Sequence, residues 1–142
     1  LYHRRQRQMC IRDSPKPAAI RAWISSIISQ EGRLEGEVSF VFCDDEYLYK
    51  LNVEFLNHDT LTDVISFDYS VGKEAHGEVF ISIDRVKENA AEFSQAFETE
   101  LHRVMAHGIL HFCGYKDKND PEATLMRLKE DLYLQQLTQK PF

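Results

Sequence analysis

The hydrophobic period of the chain switches from helical to strand-like between residues 20 and 43, and this switch points to a mixed fold. Ile20, Trp23, Ile24, Ile27 and Ile28 fall at i, i+3, i+4, i+7 and i+8, the inner stripe of an amphipathic helix, with Gly32 as its stop. Residues 37–43, EVSFVFC, then alternate and are rich in β-formers, which predicts a strand. Strand signals return at 64–69 (VISFDY) and, after a turn at Gly72-Lys73, at 77–83 (GEVFISI). Runs at this spacing suit neighbouring strands of one sheet. Asp44 is placed to cap a helix with Leu48, Leu51 and Phe55 on its inner face, followed by a polar loop from Asn57 to Asp63. Asp84 is placed to cap another helix, with Val86, Ala90 and Phe93 inward. A helix from about Thr99 carries Leu101, Val104, Met105 and Leu110 to Gly114, a residue suited to the left-handed position that ends helices. Asp120-Pro121 opens a last helix with Leu125, Leu128, Leu132 and Tyr133 inward. The sum is an α+β fold: a small mixed sheet with three visible strands, packed with about five helices, in one domain over residues 15–142.

The 142 residues suit one domain, and a 43 % hydrophobic share is enough for a core without staples. No apolar run approaches the ~18 residues of a membrane span, and no secretory signal is expected. Cys10, Cys43 and Cys113 are an odd set at irregular spacing, which does not read as a disulfide framework; a reducing cytoplasm is the expected compartment. Residues 1–14, LYHRRQRQMCIRDS, stand apart. They lack a hydrophobic period and look like translated sequencing-adapter read-through, so they are expected to be non-native; the alternative is a basic arm that contacts nucleic acid. They hold four of the 17 basic and one of the 23 acidic residues, so residues 15–142 carry 13 basic and 22 acidic ones, a net charge of −9. An acidic chain does not advertise nucleic-acid binding, and an RNA substrate would need a local basic patch or a metal ion to attract its phosphates.

The chemistry concentrates at residues 107–118, HGILHFCGYKDK. His107 and His111 are four apart on a helical pattern, so their imidazoles project from one face and can converge on one ion. Gly114 breaks the helix, and Asp117 can return a carboxylate to the same ion. Two histidines and one carboxylate leave an open position, the arrangement of catalytic zinc sites, where bound water becomes acidic and a phosphoryl or carbonyl oxygen is polarised. The competing reading is two surface histidines at helical spacing by chance. Gly108 weighs against it, because glycine costs roughly 1 kcal/mol in a helix interior and something must need its missing side chain, either another element or substrate. The same glycine excludes a metalloprotease, whose general-base glutamate directly follows the first histidine.

HGILHFCGYKD resembles the H-G-x-L-H-L-x-G-Y-D-H signature of the YbeY family, bacterial single-strand-specific metallo-endoribonucleases. TDVISF at 62–67 is similar to the family's T-D-V-L-S-F strand and GEVFIS at 77–82 to its G-D-I-x-I-S strand; Glu100-Leu101 also matches. The likeness spans roughly residues 18–134. It implies cleavage of single-stranded RNA in rRNA maturation, notably at the 3′ end of 16S rRNA, and in ribosome quality control. It implies one divalent metal ion, Zn2+ first, held by His107, His111 and Asp117 on a central helix. Implied partners are rRNA and the ribosome in the cytoplasm, with no membrane and no DNA. Asp117 stands where the family usually has histidine, Lys116 where it has aspartate, and Leu56 where an important arginine lies. The family also opens with a β-strand, which residues 1–14 replace, so a fourth strand is expected to be lost.

No general acid or base is identified. Asp63 and Ser66 are candidate cleft residues, although Asp63 could equally cap a loop. Glu100 is a candidate orienter of the site or a first-turn glutamate favoured by the helix dipole. Lys116 is expected to be solvated or to hold Asp117 or a phosphate. His102 is expected to face away, His58 and His76 to sit in loops, and Cys113 to pack rather than ligate. The alternative function is a non-catalytic ribosome-assembly factor with a structural metal, favoured by the acidic balance and Leu56; a weaker one is metal-dependent hydrolysis of another ester or amide.

Overall fold

The computed structural model describes residues 7–9, 17–56 and 62–142. Its elements are β1 (Arg7–Met9), α1 (Pro17–Gln30), β2 (Leu34–Cys43), α2 (Asp45–Leu56), β3 (Val64–Asp68), β4 (Glu74–Ser82), α3 (Ile83–Glu92), α4 (Phe97–Phe112) and α5 (Asp120–Gln139). The sheet runs β1-β2-β4-β3. β2 and β4 are parallel, while β1 and β3 lie antiparallel on the two edges, so the sheet is mixed. The expected lost strand is corrected here: Arg7–Met9, inside the segment set apart by its sequence, pairs with Phe42–Phe40. A three-residue strand carries no readable alternation, and its pairing uses backbone groups alone.

Alternation along the strands divides the core between two faces. Phe40, Phe42, Val79 and Ile81 point to one side, where the buried stripe of α1 and the apolar face of α4 cover them. Val41, Cys43, Ile65 and Phe80 point to the other, where Leu48 and Leu51 of α2 cover them. The stripe of α1 is buried as its spacing predicts. Gly32 ends that helix at φ +74°, with Arg33 N–H donating to the Ile28 carbonyl at 3.0 Å.

Four details differ from the sequence reading. Phe55 is 63 % exposed and meets Phe67 edge-on, so Asn52 rather than Phe55 joins Leu48 and Leu51 inside. Phe93 is 55 % exposed, because α3 ends at Glu92 and the chain turns there. Ser82, not Asp84, caps α3: its Oγ accepts from Arg85 N–H at 3.1 Å and donates to Asp45 Oδ1 at 2.6 Å, which leaves Asp84 in the first turn. On α5, Asn119 caps the helix, and the buried residues are Met126, Glu130 and Tyr133, while Leu125, Leu128 and Leu132 face outward.

α4 lies at the centre, touching α1, α3, α5, β3 and β4. Gly108 permits that position. A Cβ there would stand 2.9 Å from both methyls of Val79 and 3.2 Å from Ser66 Oγ. Val79 is fully buried and cannot retreat. The glycine thus serves helix–sheet packing, and Ser66 lies beneath it rather than in the cleft. Gly77 is tighter still: an added Cβ would sit 2.3 Å from the Phe67 carbonyl oxygen and 2.6 Å from the Phe112 ring.

The end of α1, the turn after α4 and α5 are tied together at Glu31. Its carboxylate accepts from Tyr115 Oη at 2.7 Å, from Tyr133 Oη and from Lys129 Nζ at 3.3 Å. Trp23 Nε1–H adds a buried bond to the Tyr133 carbonyl at 2.7 Å. Burial alone would raise the Glu31 pKa; the bonds from Tyr133, Tyr115 and Lys129 outweigh it and hold the carboxyl below its ordinary value.

Two predictions follow from this packing. Gly108→Ala destabilises the fold by a net of about 1–2 kcal/mol, because overpacking against Val79 exceeds the gain in helix propensity; urea denaturation measures it. A depressed carboxyl stabilises most above its unfolded pKa and loses that contribution as pH falls through its folded value. The melting temperature of Glu31→Gln is therefore less dependent on pH across the acid range than that of the parent chain, and parallel profiles would contradict this.

Candidate metal centre

The centre is built at the C-terminal end of α4. His107 and His111 sit one turn apart on its outward face, with Nε2 atoms 3.0 Å apart and ring planes near perpendicular. The helix then stops at Gly114, φ +100°, with Tyr115 N–H bonded to the Leu110 carbonyl at 3.0 Å. This left-handed turn reverses the chain and returns Asp117, whose Oδ2 lies 3.1 Å from His107 Nε2 and 3.6 Å from His111 Nε2. One ligand atom from each of the three residues falls within 4.8 Å of the others, a group that could hold a metal ion.

The far side of each ring is fixed. His107 Nδ1 lies 2.7 Å from Glu130 Oε2, and His111 Nδ1 lies 2.9 Å from the Tyr115 carbonyl oxygen. Both partners are acceptors, so each Nδ1 carries the hydrogen and each Nε2 directs a lone pair inward. Two lone pairs and a carboxylate oxygen facing one another at 3.0–3.6 Å repel unless a cation or proton lies among them. The donor set therefore fits a divalent cation with mixed nitrogen and oxygen ligands. Burial lowers the pKa of both histidines. At His107 the bond and charge of Glu130, with Asp117 and Asp63, reverse that and raise it; at His111 the neighbouring His107 lowers it further.

Glu130 is the residue that sequence reasoning missed. It is 6 % exposed, and its second oxygen accepts from Arg103 Nη1 at 3.0 Å; Arg103 Nη2 continues to Asp131 Oδ1 at 2.8 Å. The available signal was a charged residue four positions after Met126 and three before Tyr133, on one helical face. Reading leucines as the inner stripe hid it.

A cleft of about 350 Å³ opens beside His107 and Asp117. Asp63, Asn89, Glu100, Arg103, Arg127 and Glu130 supply its polar wall, and Val64, Phe93, Val104 and Met126 its apolar wall. Asp63 thus faces the cleft as its candidate role required, and Ser66 does not. Glu100 lies in the first turn of α4, as expected, and is buried in the cleft wall. Burial raises the pKa of both Asp63 and Glu100. Leu56 closes α2, half exposed, and Lys116 is exposed. His102 packs edge-on against Trp23, away from the centre, and Cys113 is buried without ligating. His76 lies in β4, not a loop, and its Nδ1 accepts from Glu37 N–H at 3.3 Å. His58 lies outside the described residues.

The family model described as Endoribonuclease YbeY matches residues 2–138. The chain belongs to the YbeY family. A Flavobacterium johnsoniae protein named Endoribonuclease YbeY is 61 % identical over 113 residues, covering 80 % of this chain and 81 % of its own. A Porphyromonas gingivalis protein of the same name is 47 % identical over 109 residues, covering 77 % and 72 %. A Thermotoga maritima protein solved in solution superposes with a TM-score of 0.61 at 31 % identity, over 84 % of this chain and 79 % of that one. The YbeY family assignment thus rests on sequence along nearly the whole chain and on a solved structure of the same α+β architecture.

Removing a buried charge strands its partners. Glu130→Ala leaves Arg103 Nη1 and the His107 N–H without their acceptor and is expected to cost about 3 kcal/mol in chemical denaturation. A loss no larger than that of an exposed glutamate such as Glu92 would contradict the assignment.

Proposed function

We propose that this chain is a metal-dependent endoribonuclease that cuts single-stranded RNA. The observation that carries the reading is the convergence of His107 Nε2, His111 Nε2 and an Asp117 carboxylate oxygen at the mouth of a cleft. The relatives' name supplies the reaction class. The resemblance supplies the setting: rRNA maturation at the 3′ end of 16S rRNA and ribosome quality control, in the cytoplasm. No helix among the described residues is long and apolar enough to cross a membrane.

His107 and His111 present nitrogen donors whose tautomers are held by Glu130 and the Tyr115 carbonyl. Asp117 adds an anionic oxygen from the returning loop. Zn2+ suits this donor set. Bound there, a divalent cation supplies Lewis acidity toward water and toward a phosphoryl oxygen. Arg127, whose side chain is 57 % exposed at the cleft, is a cation within reach of an incoming phosphate. The chain needs such local charge because its net charge of −6 repels RNA.

A second reading keeps the metal but assigns it a structural role in a ribosome-assembly factor. Leu56, in place of the family's usual arginine, favours it. The open cleft beside His107 favours hydrolysis, since a purely structural site needs no access.

The purified chain is expected to bind about one equivalent of Zn2+ by elemental analysis, and His107→Ala with His111→Ala to abolish it. Cleavage of a single-stranded oligoribonucleotide should stop with chelator and return with Zn2+. Cleavage that persists both with chelator and in His111→Ala would sink the proposal.

A further inference from the structure

We infer that the cleft beside the metal centre is a nucleobase pocket, which receives one unstacked base of the RNA while the adjoining phosphate lies at His107 and Asp117. The inference rests on the ribonuclease reading above and adds where the substrate sits. A volume of about 350 Å³ accommodates a base with its ribose and excludes a base pair still stacked in a helix. The walls have the two chemistries that a base requires. Val104 and Met126 offer apolar surface to a π-face. Asp63, Asn89 and Glu100 offer hydrogen-bonding groups to its edge.

Glu100 marks the pocket most sharply. It is only 7 % exposed, lies on the same face of α4 as His107 two turns earlier, and lines the cleft. Its carboxyl oxygens are not sealed in the core but open onto the cavity, where they can meet a ligand. Asp63 is half-buried, and among the described residues its side chain accepts from Asn89 Nδ2 at 3.4 Å. Asp63 and Glu100 thus bring carboxylate acceptors to one part of the cleft wall. Such an edge suits a base presenting N–H groups. Guanine presents N1–H and the 2-amino group side by side; uracil places carbonyl oxygens against the same acceptors.

The cleft thus separates the two parts of a nucleotide. The anionic phosphate meets the histidine–aspartate end and Arg127, and the neutral base meets the carboxyl end. Because the base must leave any helix to enter, a preference for single strands follows from the pocket itself.

Ala123 provides the test. It lines the cleft from the first turns of α5 yet is exposed, so a larger side chain there fills the pocket without entering the core. Ala123→Phe and the control Gln135→Phe, at an exposed position of α5 outside the cleft lining, are compared with the parent chain for Zn2+ content, thermal melting, fluorescence-anisotropy binding of a labelled single-stranded pentaribonucleotide, and KM against kcat. The expected result is Zn2+ content and melting unchanged in all three, with binding and KM weakened about tenfold or more in Ala123→Phe alone. Pentamers differing only in the central base should rank guanosine tightest and uridine weakest in the parent, and that ranking should collapse in Ala123→Phe. Equal binding and KM in all three proteins, while the parent still cuts RNA in a chelator-sensitive way, overturns the pocket and leaves the ribonuclease reading standing. A folded, Zn2+-loaded parent that neither binds nor cuts RNA overturns both.

Discussion

Everything at the candidate centre depends on how closely α4 lies against β4. The contact is between a residue with no side chain, Gly108, and the two methyls of a fully buried valine, Val79. With α4 seated there, its inner face closes the main core, and its outer face must carry His107 and His111 toward α5. The imidazoles are therefore not held by a flexible loop. They stand on a helix packed on the sheet and against three other helices. A site on such an element inherits the rigidity of close packing, which is what ligand geometry needs. Only the third candidate ligand, Asp117, comes from a turn, and that turn is fixed by the left-handed Gly114 and by the backbone bond closing the helix.

The electrostatics follow from that placement. Bringing α5 over the outer face of α4 would bury His107 beside apolar side chains, and a buried imidazole needs a partner. Glu130 supplies it, and Arg103 in turn neutralises Glu130. The chain His107–Glu130–Arg103–Asp131 runs from the centre to the surface, so no member is left as an isolated buried charge. Ion pairs buried this way add little net stability, because desolvation offsets the attraction. Their value lies in orientation: the Glu130 bond fixes which nitrogen of His107 faces the centre, as the Tyr115 carbonyl does for His111.

Much of this was legible in the sequence where period and chemistry agreed. The stripe of α1, the three longer strands, the stops at Gly32 and Gly114 and the pairing of His107 with His111 all express local rules. The failures have one physical source, which is that hydropathy cannot see a partner. Leu125, Leu128 and Leu132 were read as the inner face of α5, but the helix is rotated so that Glu130 meets His107, and a satisfied carboxylate takes a place that pattern reserves for leucine. Asn52 displaced Phe55 in the same way. Ser82 prevailed over Asp84 as a cap because the chain leaves β4 one residue earlier than the alternation suggested. β1 was invisible because three residues paired through their backbone carry no pattern.

The position of Asp117 shows how far a resemblance extends and where the particular chain takes over. A histidine there would bring a neutral donor, whereas aspartate brings a charge into a cleft already walled by Asp63, Glu100 and Glu130. A cation held by two neutral imidazoles and one carboxylate keeps less net charge for substrate than one held by three imidazoles, and a harder oxygen ligand shifts its preference toward harder ions. Attraction for an anionic backbone must then come from elsewhere. Leu56 cannot supply it. Arg127 can, because Glu130 is already committed to His107 and Arg103 at hydrogen-bond distance, and Arg127 stands off from it at 3.8 Å with its side chain mostly in solvent. Aspartate at the third candidate-ligand position and an arginine at the cleft rim are in this sense one electrostatic arrangement: positive charge that Asp117 offsets is available again beside it.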